Sequence, residues 1–382
     1  MSQTLNPQPV ETLAAPSSGR HPWLAVCMAL AFGLLLTCMV SEEPIRAYRA
    51  LLSGALPDIT VSWDAGIKLQ RLTRFGAVLE DTVTLTLLGL AMVFGLRARQ
   101  FSMGADGQLF LSALAAAWVS VQLSTHPALA LPLAAVAAVA TGFVWGWIPG
   151  TLKARWDANE IVTTLMLNVI AIQFYRLVIT SCFRDPAAGY LATPSLAAET
   201  TFSSLIAHTN VTVFAFIAPA AAALAWFVLN RTALGYEIRA VGDSHAFARQ
   251  CGIPVRRTIV MAMAMGGAFA GLAGLHLSNA LLKRLPADLT PGIGFEGLVV
   301  ALLARNDPKN VVLAAFLYAY LKAGALAMER ASDVSREMVL VIQALIVLFV
   351  VCERFISSSA MRGLLARLRA IAARFTTGGP VA

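Results

Sequence analysis

Charge is what this chain has least of. Asp, Glu, Lys and Arg make up 13% of its 382 residues, against 58% hydrophobic residues and a mean hydropathy of +0.71. A soluble globular domain carries about twice that charged fraction. So few charges cannot cover an apolar interior of this size in water, and a bilayer suits it better. Cysteine is sparse as well. Cys27, Cys38, Cys182, Cys251 and Cys352 stand singly, with no CxxC and no Cys/His cluster, which gives neither a metal site nor a disulfide framework. The dipeptide Gly-Lys never occurs, so there is no phosphate-cradling loop of the Walker type. HExxH and a Ser-His-Asp arrangement are missing too, and the five histidines are dispersed. A lipid-modifying membrane enzyme, which would want a His, Asp or Cys cluster near the interface, is the weakest reading. The chain is not equipped for bond chemistry.

What is present is a series of apolar runs. They predict an all-α polytopic membrane protein with about ten transmembrane segments, near 23–40, 75–96, 108–123, 128–149, 160–182, 211–229, 258–280, 293–304, 310–328 and 336–353. Several are shorter than the about 20 residues a full crossing needs. Residues 1–22, polar and rich in Pro and Ser, read as a disordered cytoplasmic tail. Residues 23–353 form the membrane domain, and 354–382 a basic cytoplasmic tail in which 362–375 has the pattern of a surface-lying amphipathic helix. The larger share of Lys and Arg falls on one side of this arrangement, which orients the chain N-in, C-in. The net charge of +8 follows the cytoplasmic face and its anionic lipids, and calls for no nucleic acid.

Four stretches break the apolar pattern. In FSMGADGQLFL, residues 101–111, two glycines and the polar Asp106 and Gln108 loosen the start of a segment. Taken alone it is a cytoplasmic turn with a helix cap at Asp106. In NEIVTTLMLN, residues 159–168, Glu160, Thr163, Thr164 and Asn168 fall with Tyr175 within about 140° of helical arc. Polar groups in a membrane segment face protein or a cavity, although Glu160 also suits the positive end of the helix dipole. In residues 263–280, Gly267 and Gly271 form a GxxxG pair, a signal for close helix packing. His276 and Asn279 follow it, the histidine reading as an interfacial side chain. In residues 292–304, glycines surround Phe295 and Glu296 in an apolar segment of about 20 Å, too short for a crossing. A half-helix of this kind can aim its N-terminus at a polar solute. One long hydrophilic stretch remains, the basic loop 230–257, which this topology places in the cytoplasm.

In this order the stretches resemble the permease subunits of ABC importers for simple sugars and nucleosides, the branched-chain amino acid/ribose-type family. FSMGADGQ is similar to that family's N-I-G-x-E-G-Q. NEIVTTLMLN is close to its nucleoside-type N-E-[VI]-[IV]-[ST]-T-[IL]-M-L-N, and GIGFEGLVVALLARNDP resembles its G-x-G-F-x-G-I-A-V-A-L-L-G-x-x-x-P, with Ala304 in place of a glycine. HAFARQCGIP keeps the four-residue spacing of a coupling motif at Ala248 and Gly252 but departs from its start. The resemblance spans roughly residues 75–355. It implies a translocation path lined or braced by Asn159, Glu160, Thr164, Asn168, Asp106, Gln108, Phe295 and Glu296. It also implies a docking surface for a cytoplasmic ABC ATPase at Ala248 and Gly252. Further implied partners are a second homologous permease or a second copy, an extracytoplasmic solute-binding protein, and a nucleoside, purine or simple sugar as the small polar solute. The setting is a bacterial plasma membrane. No cofactor would be bound directly, since ATP is used by the partner. The rival reading is an ion-coupled secondary transporter, which would have no need of a docking loop.

Overall fold

The computed structural model describes residues 31–35, 37–38 and 42–351, apart from 57, 63–65, 71, 206–208 and 290. The two expected tails and most of the segment at 23–40 lie outside the described residues. Among the described residues the regular structure is helical apart from a short antiparallel hairpin, β1 (Asp58–Ser62) with β2 (Gly66–Gln70), which follows α1 (Pro44–Ser53). The remaining helices are α2 (Leu72–Arg97), α3 (Ala105–Gln122), α4 (Pro127–Trp156), α5 (Glu160–Ser181), α6 (Phe214–Arg231), α7 (Ala233–Asp243) and α8 (His245–Gln250). After them come α9 (Val255–Leu275), α10 (Ile293–Leu303), α11 (Pro308–Ala331) and α12 (Arg336–Val351).

Among the described residues, six helices are long and apolar enough to cross a membrane: Thr73–Arg97, Leu129–Trp156, Glu160–Ser181, Phe214–Arg231, Val255–Leu282 and Pro308–Ala331. Helices occupy the expected segments at 108–123 and 293–304 and the described part of 336–353, but they do not meet that standard. α3 opens on Asp106 and Gln108, α10 has 11 residues, and α12 has 16. Short helices of this kind are satisfied inside a membrane protein because their ends bond to protein instead of lipid.

Two helices make the centre. The apolar windows of α2 and α9 are 78% buried, against 22% for α5 and 28% for α4. α5 and α4 accordingly turn Met166, Ile170, Phe174, Val136 and Val144 outward, as lipid-facing helices do. α9 lies against α4 along the predicted small-residue stripe. A β-carbon on Gly267 would overlap the carbonyl oxygen of Gly142, and one on Gly271 that of Ala138. Hydrogen at both positions is therefore what lets the two backbones touch. Phe94 of α2 stacks on Phe269 of α9, ring centroids 5.3 Å apart. On the far side α1 seats Ala47 and Leu51 against Leu321, Ala325 and Met328 of α11, with Val339 and Ile342 of α12 closing that cluster.

The outer end of α9 departs from its expected setting. The helix continues as a π-helical turn, His276–Leu282, and His276 is 1% exposed, so it is not interfacial. Its Nδ1 lies 3.1 Å from Thr84 Oγ1, and its ring is 4.8 Å from that of Phe214. Asn279 beside it donates to Ser120 Oγ (2.6 Å) and to the Thr200 carbonyl (2.8 Å). The widened turn thus points its polar side chains into the protein, where each finds a partner.

Candidate functional site

The polar stripe of α5 faces inward. Asn159 caps the helix, its side-chain oxygen accepting from the N–H groups of Ile161 (2.9 Å) and Val162 (3.3 Å). Glu160 sits at the helix start and pairs with Lys153 of α4 at 3.2 Å; the same ammonium meets Asp157 at 2.9 Å and holds that exposed carboxyl below its ordinary pKa. Thr163 bonds back to the carbonyl of Asn159. One turn further in, Thr164 is fully buried and Asn168 nearly so. Thr164 Oγ1 accepts from the N–H of Met103 (3.1 Å). Asn168 donates to the Met103 carbonyl (2.6 Å) and accepts from the N–H of Gly107 (2.9 Å). Tyr175 completes the face, donating to the carbonyl of Pro286 at 2.8 Å. The stripe therefore satisfies the broken backbone between α2 and α3, which has no helical partner of its own.

Asp106 is not the cap expected of it. Gly104 occupies the cap position of α3, without a side-chain bond. The Asp106 carboxylate reaches instead to the start of α10, where Oδ1 accepts from Gly292 N–H (3.2 Å) and Gly294 N–H (2.7 Å). Gly292 has φ +124°, a conformation that L side chains rarely adopt, and it turns the chain into α10. The sequence pattern has this half-helix aiming free amides at a solute. Its first amides are already held by a protein carboxylate, which also compensates its dipole. Gln108, two residues on, is buried and faces α4 at Gly146.

Past that junction lies a charged group of which the sequence motifs pick out Glu296 but not Asp81 or Lys322. Glu296 Oε2 meets Lys322 Nζ of α11 at 2.8 Å, with both side chains partly exposed. Asp81 of α2 interacts electrostatically with Lys322 and Glu296, and Asp106 with Glu296. Glu296, Phe295, Lys322 and Tyr318 line a cavity of about 690 Å³ bounded by α10, α11 and α12, whose remaining wall is largely apolar. Asp81 and Lys322 each lie within a long apolar run. That is the available signal, since an ionisable residue inside a membrane segment is a functional suspect by default. The polar groups of α5, α3, α10, α11 and α2 thus form one continuous seam that ends at a cavity. Among the described residues no group of three or more His, Cys, Asp or Glu is placed to hold a metal ion.

The hydrophilic loop folds into α7 and α8. Thr232 and Ser244 cap these helices, accepting from Gly235 N–H (3.2 Å) and Phe247 N–H (3.3 Å). Of the two positions read as a small-residue docking face, Ala248 turns inward and Gly252 is exposed. Ala248 is fully buried against Val241, Ile259 and Met263. Gly252 ends α8 at φ +76°, with Ile253 N–H bonded to Ala248 O (3.0 Å) and Gly252 N–H to Arg249 O (3.1 Å). That pair of bonds is the Schellman arrangement, which glycine serves because it enters the left-handed region without strain. The outward surface includes His245, Ala246, Phe247, Arg249, Gln250, Cys251 and Gly252, with Arg256 and Arg257 next to it and Tyr236 on α7.

A multi-pass helical protein with a buried polar seam that opens on a charged cavity is a membrane transport protein. The family is the branched-chain amino acid transport system / permease component, whose model matches residues 75–351, and the chain belongs to it. It is 34% identical over 358 residues to the guanosine ABC transporter permease of Bacillus subtilis (strain 168), covering 91% of this chain and 96% of that one. It is 31% identical over 367 residues to the glucose ABC transporter permease of Haloferax volcanii, covering 93% of each. A third relative, the nucleoside ABC transporter permease of Lactococcus lactis subsp. cremoris, is 27% identical over 343 residues, 86% of this chain and 89% of that one. No solved structure matches the chain. It is a multi-pass permease component of an ABC transporter, a family that works with an ATPase and a binding protein.

Proposed function

We propose that the chain carries a nucleoside or a simple sugar inward across the membrane, driven by ATP hydrolysed on a separate subunit. The observation that supports this most is end-to-end similarity to permeases whose names give guanosine, nucleoside and glucose as the solutes. A nucleoside or purine is the favoured solute, because NEIVTTLMLN at 159–168 has the nucleoside-type form. The solute arrives from an extracytoplasmic binding protein, and the pore is completed by a second permease, homologous or identical. The chain lies N-in, C-in, places α7 and α8 in the cytoplasm, and binds no nucleotide itself.

Within this reading the site residues divide by what they touch. Phe295 and Glu296 face the cavity and contact the solute. Thr164, Asn168, Asp106 and Gln108 brace the wall behind them, while Asn159 and Glu160 fix the start of α5. The ATPase docks on the outward surface of α8, with Phe247, 54% exposed and flanked by Arg249, as its anchor. An exposed aromatic with arginine beside it has the composition of an interface hot spot.

The test is uptake of radiolabelled guanosine and glucose into proteoliposomes that hold the chain with its ATPase and second permease, with the binding protein added outside. Uptake of either should require ATP inside and stop when the binding protein is left out. Uptake that persists without ATP and collapses with an ion gradient would establish the ion-coupled alternative instead.

A further inference from the structure

The end of α6 meets the start of α11 at the ring of Trp226. The guanidinium of Arg231 stands 5.8 Å and the ammonium of Lys309 4.4 Å from the ring centre, both within cation–π reach. Arg231 and Lys309 are exposed and Trp226 is half-buried. Among the described residues neither cation is paired with a carboxylate. Asp307 is spent on capping α11, where it accepts from the Lys309 backbone N–H at 3.2 Å. Arg239 of α7 adds a third positive charge, donating to Asn230 Oδ1 at 2.8 Å, while Asn230 Nδ2 bonds the Trp226 carbonyl at 3.0 Å. Glu237, also on α7, accepts from Thr258 of α9 at 3.3 Å. Arg231, Lys309 and Arg239 therefore outweigh Asp307 at this corner.

The corner stands at a membrane boundary. α6 and α11 are both of spanning length; Arg231 is the last residue of one and Lys309 the second of the other. Trp226 lies about 7.5 Å inside Arg231 along the helix, at the level where tryptophans collect in membrane proteins. One turn further into the membrane from each cation stands an exposed apolar side chain. Phe227, 53% exposed, precedes Arg231, and Leu313, 73% exposed, follows Lys309. The same order, a cation at the boundary and a bare apolar group behind it, thus occurs on both helices. A phospholipid with an anionic headgroup has the complementary profile, and basic pockets between membrane helices hold such headgroups.

We infer that Arg231 and Lys309, gathered on Trp226, bind the phosphodiester of an anionic phospholipid whose acyl chains lie along Phe227 and Leu313. In the orientation proposed above the lipid belongs to the cytoplasmic leaflet; the contact itself depends neither on that orientation nor on transport. The guanidinium presents paired N–H donors to the phosphate, and the ammonium adds a point charge. A soluble phosphate would meet the same cations but leave Phe227 and Leu313 bare, so the apolar pair is what selects a lipid. Bound there, the lipid fastens α6 to α11 beside α7, whose Arg239 is tied to the same corner through Asn230.

The test is native mass spectrometry of the full chain in detergent, titrated with palmitoyl-oleoyl phosphatidylglycerol and with the phosphatidylcholine of the same acyl chains. The first phosphatidylglycerol should bind about thirtyfold more tightly, at about fivefold for each basic residue beside an anionic headgroup. Arg231→Gln and Lys309→Gln should each remove about fivefold of that preference, and together abolish it. Lys309→Arg should keep it. Leu313→Ser should weaken both lipids and leave their ratio as it was. Arg256→Gln, which removes an exposed charge next to α8, should change nothing. The substituted side chains are exposed, so every variant should melt as the unaltered chain does. Equal affinity for the two lipids in the unaltered chain would overturn the inference, as would a preference that survives the double substitution. A preference that Arg256→Gln lowers as much as Lys309→Gln does would show a diffuse basic surface, and displacement of the lipid by glycerophosphoglycerol would show a site for free phosphate. Either outcome removes the lipid site. So would a preference that disappears once the second permease is co-purified, which would give this corner to that subunit.

Discussion

The junction between Asp106 and α10 yields a prediction with a magnitude. Asp106→Ala removes the acceptor for two backbone N–H groups, Gly292 at 3.2 Å and Gly294 at 2.7 Å. A hydrogen bond to a charged group contributes about 1.5 to 3 kcal/mol. One bond here is long, so the pair is worth about 3 kcal/mol of local stability at the start of α10. At about 1.4 kcal/mol per factor of ten, the segment should open about a hundredfold more often. Amide exchange reports such opening, and mass spectrometry of a fragment covering residues 291–303, in lipid nanodiscs, would measure it. Asp106→Asn keeps an acceptor and loses the charge, so its exchange should rise only about tenfold, since neutral bonds are worth about 0.5 to 1.5 kcal/mol. Residues 214–231 in α6 should not change in either variant. Unaltered exchange at 291–303 in Asp106→Ala would refute the reasoning. Lost uptake in Asp106→Asn with exchange unchanged would make Asp106 a solute ligand and not a clamp.

Asn168→Leu should insert normally, because it makes α5 more apolar, yet leave Met103 O and Gly107 N–H buried without their partner. At about 1 to 3 kcal/mol per orphaned group, a fluorescence-detected melt should fall by several degrees and uptake should drop with it, while a normal melt and normal uptake would show the stripe to be idle. Phe247→Ala should lose co-purification with the ATPase while the permease melts as before, and undiminished co-purification would place the docking surface elsewhere. Gly252→Asn should be nearly silent, because asparagine tolerates the left-handed region, whereas Gly252→Trp should cost about 1 to 2 kcal/mol in backbone strain but meet no clash, since nothing lies within 4 Å of a β-carbon there. A proteolysis assay on the loop separates the two substitutions.

The helices are legible in the sequence wherever a pattern repeats at helical spacing. Thr164, Asn168 and Tyr175 share a face at about 100° per residue, and that face is buried. Gly267 and Gly271 announce a close approach that the backbones of α4 and α9 carry out. Spacing does not say which way a face turns. Ala248 and Gly252 lie one turn apart as read, yet the first points into the protein and the second ends the helix. Nor does spacing reveal partners distant in the chain. Asp81 and Lys322 come together only because α2 and α11 pack side by side, and Asp106 meets Gly294 from far along the chain. The starts of α3 and α10 are held by tertiary bonds that the local sequence does not contain, to Asn168 and Asp106 respectively.

Two other tertiary contacts connect the proposed docking surface to the cavity. Gly242, near the end of α7, lies so close to the carbonyl of Arg97 that a β-carbon would overlap it. Arg97 ends α2 and donates from Nε to the carbonyl of Asn306, 2.7 Å away, in the turn between α10 and α11. With an ATPase docked on α8, a push on α7 has no slack to take up at Gly242. It moves the end of α2, and through Arg97 the hinge from which α10 and α11 diverge. α2 carries Asp81, α10 carries Glu296 and α11 carries Lys322. Glu296 and Lys322, which line the cavity, and Asp81, which acts on both, therefore sit on the three helices linked at Arg97. A displacement there would change their separations, with α10 held at its other end by Asp106 as the pivot.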